Sequence, residues 1–445
     1  MFWWIGSLGL LLTAFALQSG LLAYSMYALA GLMLISRALA SRLLNDISAS
    51  RKPRSRTLEV GESVVMRVTV SNRGNAPVPW LLLEDLLAAT TAHRNAPALA
   101  VEGKRLKLVM LSPRGETELR YRLKALRRGY HQVGPLVVEH GDLFGLYRRF
   151  LVLTEPAFVL VLPRVVPMLG YDIASRRPVG EIRLAHRLFE DPTLLRGIRA
   201  YVAGDPLRRI HWRATARTGE LQCKLYEPSC LAGATLVLDF HHEGYPTRGE
   251  PARSDLVVTA AVSLVAALCD LKQQVGVVSN GRDAAERVLN EGYELEPSSR
   301  VDARRAAHPE AGRDHLHPVV LPNRRGDEQL ARAREVLARL EPQEGLRFEE
   351  LLAACRDRLP RDATLLCLLP AISQQGAMAL GDLRRQGYAV AVVLVAIAEA
   401  DLPVALARLT AEGLMDVRHL MNEAQIPTLC TSQVDRSNPY AVSVE

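Results

Sequence analysis

The run Thr235-Leu236-Val237-Leu238-Asp239-Phe240 decides the reading of the C-terminal half, because it is continuously apolar and then closes on a carboxylate. Such a run is the pattern of a strand buried on both faces, as in a parallel sheet covered by helices. Ser254 to Leu271 follows with helical spacing and Ser254 as an expected N-cap. Val275 to Ser279, Thr364 to Leu369 and Ala389 to Leu394 repeat the strand pattern, and Asp327 to Leu340, Phe348 to Leu359, Ser373 to Arg385 and Leu402 to Glu412 read as helices. Alternation of this kind predicts a doubly wound α/β sheet over 233–445. Residues 282 to 325, rich in Arg, Glu, Pro and His, interrupt it as a surface excursion.

Upstream, the period changes. Val64 to Val70 alternates as a half-buried strand, Asn72 to Asn75 supplies a turn, and Trp80 to Glu84, Leu106 to Met110, Glu118 to Leu123, Val133 to Glu139 and Phe158 to Leu162 add further strand patterns. Short strands at this spacing predict an immunoglobulin-like β-sandwich over 57–162. His140 to Gly145 reads as a tight turn that buries Phe144.

Phe2 to Ile35 carries no charged side chain, and as one helix it would be about 51 Å long against a hydrocarbon layer of about 30 Å. Gln18, Ser19 and Gly20 divide it, so 1–36 is expected to form a transmembrane helical hairpin. Arg37, Arg42, Arg51, Lys52, Arg54 and Arg56 make 37–56 a basic juxtamembrane linker and place the remainder on the cytoplasmic side of the inner (cytoplasmic) membrane.

The chain has 445 residues, a net charge of +7 and 5% aromatic residues. The size calls for several domains, and the scarcity of aromatic side chains for base stacking argues against a nucleic-acid binder. The cysteines show no C-x-x-C pairing and read as buried thiols, with a Cys223–Cys230 disulfide permitted by spacing but favoured by nothing.

The segment joining the halves, 163–232, begins as an extended stretch from Pro163 to Pro178 and then carries a dense signature. Gly204, Asp205 and Pro206 form a turn signal, after which a helix from Leu207 would put Arg209, Arg213 and Arg217 on one face with Arg208 beside them. Leu207, Ile210 and Trp212 are its expected apolar anchors. The arginine row can clamp the two halves through Asp205, Glu220 and Glu227, dock an acidic partner, or grip an anionic ligand. His211 beside Asp205 is an acid/base pair without a nucleophile, and the motifs of nucleotide-binding loops, acyl-transfer elbows and zinc-protease helices are missing. No cofactor is implied and the chain is read as a non-enzyme, the alternative being a hydrolase or anion-binding enzyme centred on Asp205, Arg209, His211 and Arg217.

Arg199-x-Tyr201, Gly204-Asp205, Arg208-Arg209-Ile210-x-Trp212, Ala214 and Ala216-Arg217 resemble the signature of the domain of unknown function 58 family. That resemblance implies an α/β domain of von Willebrand factor A type and a membrane-associated scaffold or adaptor. It also implies partnership with a MoxR-type AAA+ ATPase, with a transglutaminase-like membrane protein as a further partner. In von Willebrand factor A-like domains the first strand ends in D-x-S-x-S around a Mg²⁺. Here Asp239 keeps the first position while His241 and Glu243 replace the hydroxyls, so the site is a degenerate one and no metal is assigned.

Overall fold

The computed structural model describes residues 20–43, 46–53, 55–87, 97–141, 148–169, 190–202, 210–228, 233–246, 248–290, 317–361 and 363–430. Over these the chain is multidomain. A helix, Gly20–Leu43, leads into a two-sheet β unit, and a mixed sheet with helices on both faces forms the C-terminal half. The first arm of the expected hairpin and Phe144 lie outside the described residues.

The β unit follows from alternation. Val64, Met66, Val68 and Val70 on one strand and Leu119, Tyr121 and Leu123 on its antiparallel neighbour point inward, opposite Leu81, Leu83, Leu136, Val138, Val159 and Val161 of the second sheet. The two inner faces bury one shared core. At its edge sits an ion pair: Arg51 reaches Asp85 at 2.5 Å, Asp85 accepts from the Tyr121 hydroxyl at 2.6 Å, and Arg51 also donates to the Val133 carbonyl at 3.0 Å. Arg51 was expected among the basic residues at a membrane. It is instead buried on the strand Ile47–Lys52, because the carboxylate of Asp85 would otherwise stand uncompensated inside the sheets.

In the C-terminal half the strand Gly233–Leu238 lies between Gln274–Ser279 and Thr364–Leu369, all three parallel. Val390–Val395 and Val417–Leu420 extend the sheet on one side, and Val319–Arg324 closes the other as an antiparallel edge within the stretch read as an excursion. The helix Ala252–Asp270 is apolar almost all round because it is covered on all sides, with Val257, Val258, Ala261, Val262 and Val265 fully buried. By length and composition it could cross a membrane, but here it is the central core helix. Ser254 does not cap it. The helix starts at Ala252, and Glu250 accepts from the Ser254 hydroxyl at 2.7 Å and from its backbone N–H at 3.1 Å, placing a carboxylate at the positive helix end.

The two halves are joined by packing as well as by chain. From Pro163 the connecting stretch lies over the α/β core: the Val166 N–H donates to Ser263 Oγ at 2.9 Å, the Leu169 N–H donates to the Pro427 carbonyl at 2.7 Å, and Met168 is buried among core residues. From the β unit, Arg128 enters the other half. Its guanidinium donates to the carbonyls of Leu340 at 2.9 Å, Leu337 at 3.2 Å and Ser254 at 3.3 Å, pairs with Asp255 at 3.0 Å, and lies over the Phe240 ring at 6.0 Å. Arg127 completes the pair on Asp255 at 2.8 Å. Leu337 and Leu340 stand at the end of the helix Asp327–Arg339, where backbone carbonyls lack partners within the helix and the dipole favours a cation.

Arg128→Ala leaves the Leu337 and Leu340 carbonyls without this donor and Asp255 with Arg127 alone. It is expected to lower stability by roughly 3 kcal/mol in a denaturant titration and to raise hydrogen exchange around Leu337–Leu340. Beside it, burial holds the His131 imidazole down at about 4. The unfolded chain therefore takes up this proton first, and the stability present above about pH 6.5 is lost as pH falls through 6.5 towards 4. His131→Gln is expected to flatten that limb of the thermal-midpoint profile.

Candidate functional site

The signature segment is a structure in its own right. Glu190–Ala200 pairs antiparallel with Gln222–Pro228, Ala200 opposite Gln222 and Leu195 opposite Tyr226, and the short helix Trp212–Thr218 lies between them in sequence. His211 caps that helix, its Nδ1 accepting from the Ala214 N–H at 3.1 Å, while its own backbone N–H donates to the Gln222 carbonyl at 2.7 Å. Gly219 ends the helix at φ 77°, a left-handed conformation that glycine adopts without strain, and its N–H returns to the Thr215 carbonyl. Tyr201, half-buried, extends the pairing by donating its N–H to the Leu221 carbonyl at 2.8 Å.

The apolar anchor of this hairpin is Ile210, bridged to Cys223, with both side chains buried. Trp212 does not share that role: it is 67% exposed. The helix begins at Trp212 itself, and its first residue points out while the chain before it, at Ile210, is pinned to the strand. Ile198, Val202 and Leu221 are exposed as well. Arg213 and Arg217, one helical turn apart, line a shallow depression of about 430 Å³ with Ile198, His211, Ala214 and Thr218. Neither forms an ion pair among the described residues, and Arg199 is exposed on the neighbouring strand. Among the described residues the ion pairs between the halves include those of Arg127 and Arg128 with Asp255 and of Arg334 with Glu59. Gly204, Asp205, Arg208 and Arg209 lie outside the described residues.

Asp239 stands at the C-terminal end of the central strand, between chain crossovers that run to opposite sides of the sheet. This is where open α/β sheets place their ligands. Here the position is closed. Asp239 Oδ1 accepts from the His241 N–H at 3.0 Å and from Asn280 Nδ2 at 2.9 Å, while Asn280 Oδ1 accepts from the Phe240 N–H at 2.6 Å. The stretch around Gln343 pairs with Phe240 and His242 through backbone bonds of 3.0 and 2.8 Å and donates its side chain to the Asn280 carbonyl. Burial pushes the Asp239 carboxyl up from its ordinary value, and the two hydrogen bonds on Oδ1 pull the other way. His241 is buried with its Nδ1 accepting from the Glu243 N–H at 3.4 Å, and the Glu243 carboxylate pairs with Arg347 at 3.2 Å. Among the described residues no three His, Cys, Asp or Glu side chains are grouped to hold a metal ion. Asn280 and Gln343 had no sequence signal, since each acts only once distant strand ends meet.

Residues 197–295 match the family described as "Protein of unknown function DUF58". The chain carries a DUF58 region. It runs from the first signature strand through the capped helix and the Asp239 strand to just beyond the helix Ala284–Asn290. The chain is also 24% identical over 226 residues to the uncharacterised protein YeaD of Bacillus subtilis (strain 168), a match covering 50% of this chain and 55% of that protein. It thus spans about half the length of that curated relative. Among solved structures, proximal thread matrix protein 1 of the mussel byssus shares 10% identity, with 45% of this chain and 46% of that one covered and a TM-score of 0.29. The CARDB domain of a Pyrococcus furiosus protein shares 17% identity, with 26% of this chain and 88% of that one covered and a TM-score of 0.18. TM-scores this low do not establish a shared fold.

Asp239→Asn keeps an acceptor at Oδ1 and removes a buried charge, so its thermal midpoint at pH 7 is expected to equal or exceed that of the unsubstituted protein. The difference is expected to shrink as pH falls into the range where the raised carboxyl takes up its proton. Asp239→Ala strands the Asn280 and His241 donors and is expected to cost about 1–3 kcal/mol in a denaturant titration.

Proposed function

We propose that this DUF58 chain is a membrane-anchored adaptor whose signature hairpin binds a protein partner. The observation that carries the reading is the exposure on this one hairpin of Trp212, Ile198, Val202 and Leu221, together with Arg213 and Arg217, which line one depression with Ile198 and are paired by no described carboxylate. Exposed tryptophan and arginine are among the side chains that supply most binding energy at protein interfaces. The patch favours a partner surface with an apolar notch and a carboxylate-bearing rim.

In this reading the apolar N-terminal segment forms a helical hairpin in the inner (cytoplasmic) membrane, with an immunoglobulin-like sandwich and a von Willebrand factor A-like domain facing the cytoplasm. The helix Gly20–Leu43 supports it by exposing Leu21, Tyr24, Tyr27 and Leu34 to its surroundings. The family resemblance makes a MoxR-type AAA+ ATPase the first partner to seek and a transglutaminase-like membrane protein the second, in assembly or quality control of other proteins. The closed geometry at Asp239 favours a binding role for the chain over metal-assisted capture at the strand ends.

The test is affinity purification of the full-length protein from gently solubilised membranes, with the unsubstituted chain beside Trp212→Ala and an Arg213→Ala, Arg217→Ala double variant. An AAA+ ATPase is expected to co-purify with the first and to fall at least about tenfold with the variants. Stability of the variants should stay within about 0.5 kcal/mol, because the substituted side chains are exposed. Equal recovery by all three proteins, or recovery of no ATPase with or without nucleotide, contradicts the reading.

A further inference from the structure

The outer face of the strand Leu106–Leu111 is apolar where a solvent-facing strand is ordinarily polar. Val109 and Leu111 turn into the core of the β unit, and alternation sends Leu106, Leu108 and Met110 outward, Leu108 being 66% and Met110 77% exposed. Among the described residues this strand pairs on one side only, with Val78–Leu87, so the stripe lies on a sheet edge. An exposed apolar edge invites association unless something covers it.

What lies at the end of the stripe identifies the cover. The strand runs into the turn Ser112 to Gly115, and Asn72, buried, binds that turn to the neighbouring one at Arg73 to Pro77. Asn72 Nδ2 donates to the carbonyls of Ala76 at 2.8 Å and Ser112 at 3.1 Å, and Oδ1 accepts from the Gly74 N–H at 3.0 Å. The Arg114 N–H donates to the Gly74 carbonyl at 3.2 Å. The same pair of turns holds the exit of the N-terminal helix, for the Arg73 N–H donates to the carbonyl of Asp46 at 2.8 Å, just beyond the helix end at Leu43. The paired turns are therefore hydrogen-bonded to each other and to Asp46, three residues past the helix end, and Met110 stands two residues before Ser112.

That end carries two arginines, with the Asp46 carboxylate lying against Gly74 beside them. Arg73 and Arg114 are both exposed, and neither forms an ion pair among the described residues. Arg114 also holds φ 56°, a left-handed conformation where glycine or asparagine would sit without cost, so the turn keeps an arginine at its tip against a local backbone penalty.

We propose that this end of the β unit lies on an anionic lipid surface, with Met110 and Leu108 entering the headgroup boundary and Arg73 and Arg114 on lipid phosphates. The inference rests on the membrane-anchored reading, which brings these turns to the bilayer because the helix exits directly onto them. Apolar side chains rimmed by basic ones are the pattern of interfacial lipid binding. A partner protein covering the stripe would have no reason to sit at the helix exit.

The test uses the full-length protein, carrying Cys230→Ser, in vesicles of equimolar phosphatidylcholine and phosphatidylglycerol. An environment-sensitive fluorophore is placed through Met110→Cys, through Leu108→Cys, or through Trp212→Cys as the distant control, the other cysteines being buried. Quenching by spin-labelled lipid is expected to be several-fold stronger at the first two positions than at the third. With Arg73→Glu and Arg114→Glu added it is expected to fall to the control level. Full accessibility of the Met110→Cys label to aqueous iodide, in protein that still resists alkaline extraction from the vesicles, overturns the inference and leaves the anchor standing. A cross-link between two Met110→Cys chains without lipid quenching overturns it in favour of a second copy. Release of the protein by alkaline extraction overturns the anchored reading and takes this inference with it.

Discussion

Arg128 is the constraint on which the arrangement depends. A guanidinium has five donors in a fixed plane and no means of losing its charge, so burying one obliges the protein to surround it with acceptors. The β unit supplies the cation and the α/β unit supplies the acceptors: carbonyls at the end of the helix Asp327–Arg339, one carbonyl from the start of the core helix, and the Asp255 carboxylate. Each half contains groups that are satisfied only in the presence of the other. The strap from Pro163 to Leu169 then has little slack, since Val166 and Leu169 are already bonded to the α/β surface.

Fixing the two halves has consequences for where binding can occur. The strand end at Asp239, the usual ligand position of such sheets, is occupied by the protein's own Asn280 and Gln343. Those amides provide the hydrogen bonds that a buried carboxylate requires, and the crevice closes around them. The signature hairpin differs in that its pinned side, Ile210 and Cys223, is buried while Trp212 and the two helix arginines remain outside. The clamp and the closed crevice thus hold satisfied polar groups, while the hairpin, like the outer face of the strand Leu106–Leu111, leaves apolar side chains exposed.

Much of the architecture was legible because burial leaves periodic traces. Thr364–Leu369 is apolar at nearly every position as a strand covered on both faces must be, and the helix read from Ser373 starts there, Ser373 accepting from the Gly376 N–H at 2.9 Å. What escaped the sequence depends on contacts between distant residues. Glu190–Ala200 finds its partner strand only across a helix and a turn, so no local pattern marks the pair. Nothing in Arg127-Arg128-Gly129 reveals that a helix end from another unit will envelop the second arginine. Trp212 misled for the converse reason, since a large apolar residue is ordinarily inside and only the pinning of Ile210 just before it turns it out. Arg51 likewise read with its basic neighbours, and only the position of Asp85 across the sheets explains its burial.

The central claim is that the face around Trp212 belongs to a partner and not to this chain's own surface. A photoreactive aromatic residue introduced at position 212 of the full-length protein, irradiated in intact membranes, tests it directly. The account predicts a dominant adduct with one second protein, the contact mapping to an apolar notch edged by carboxylates. Adducts confined to this chain itself or to lipid would contradict it.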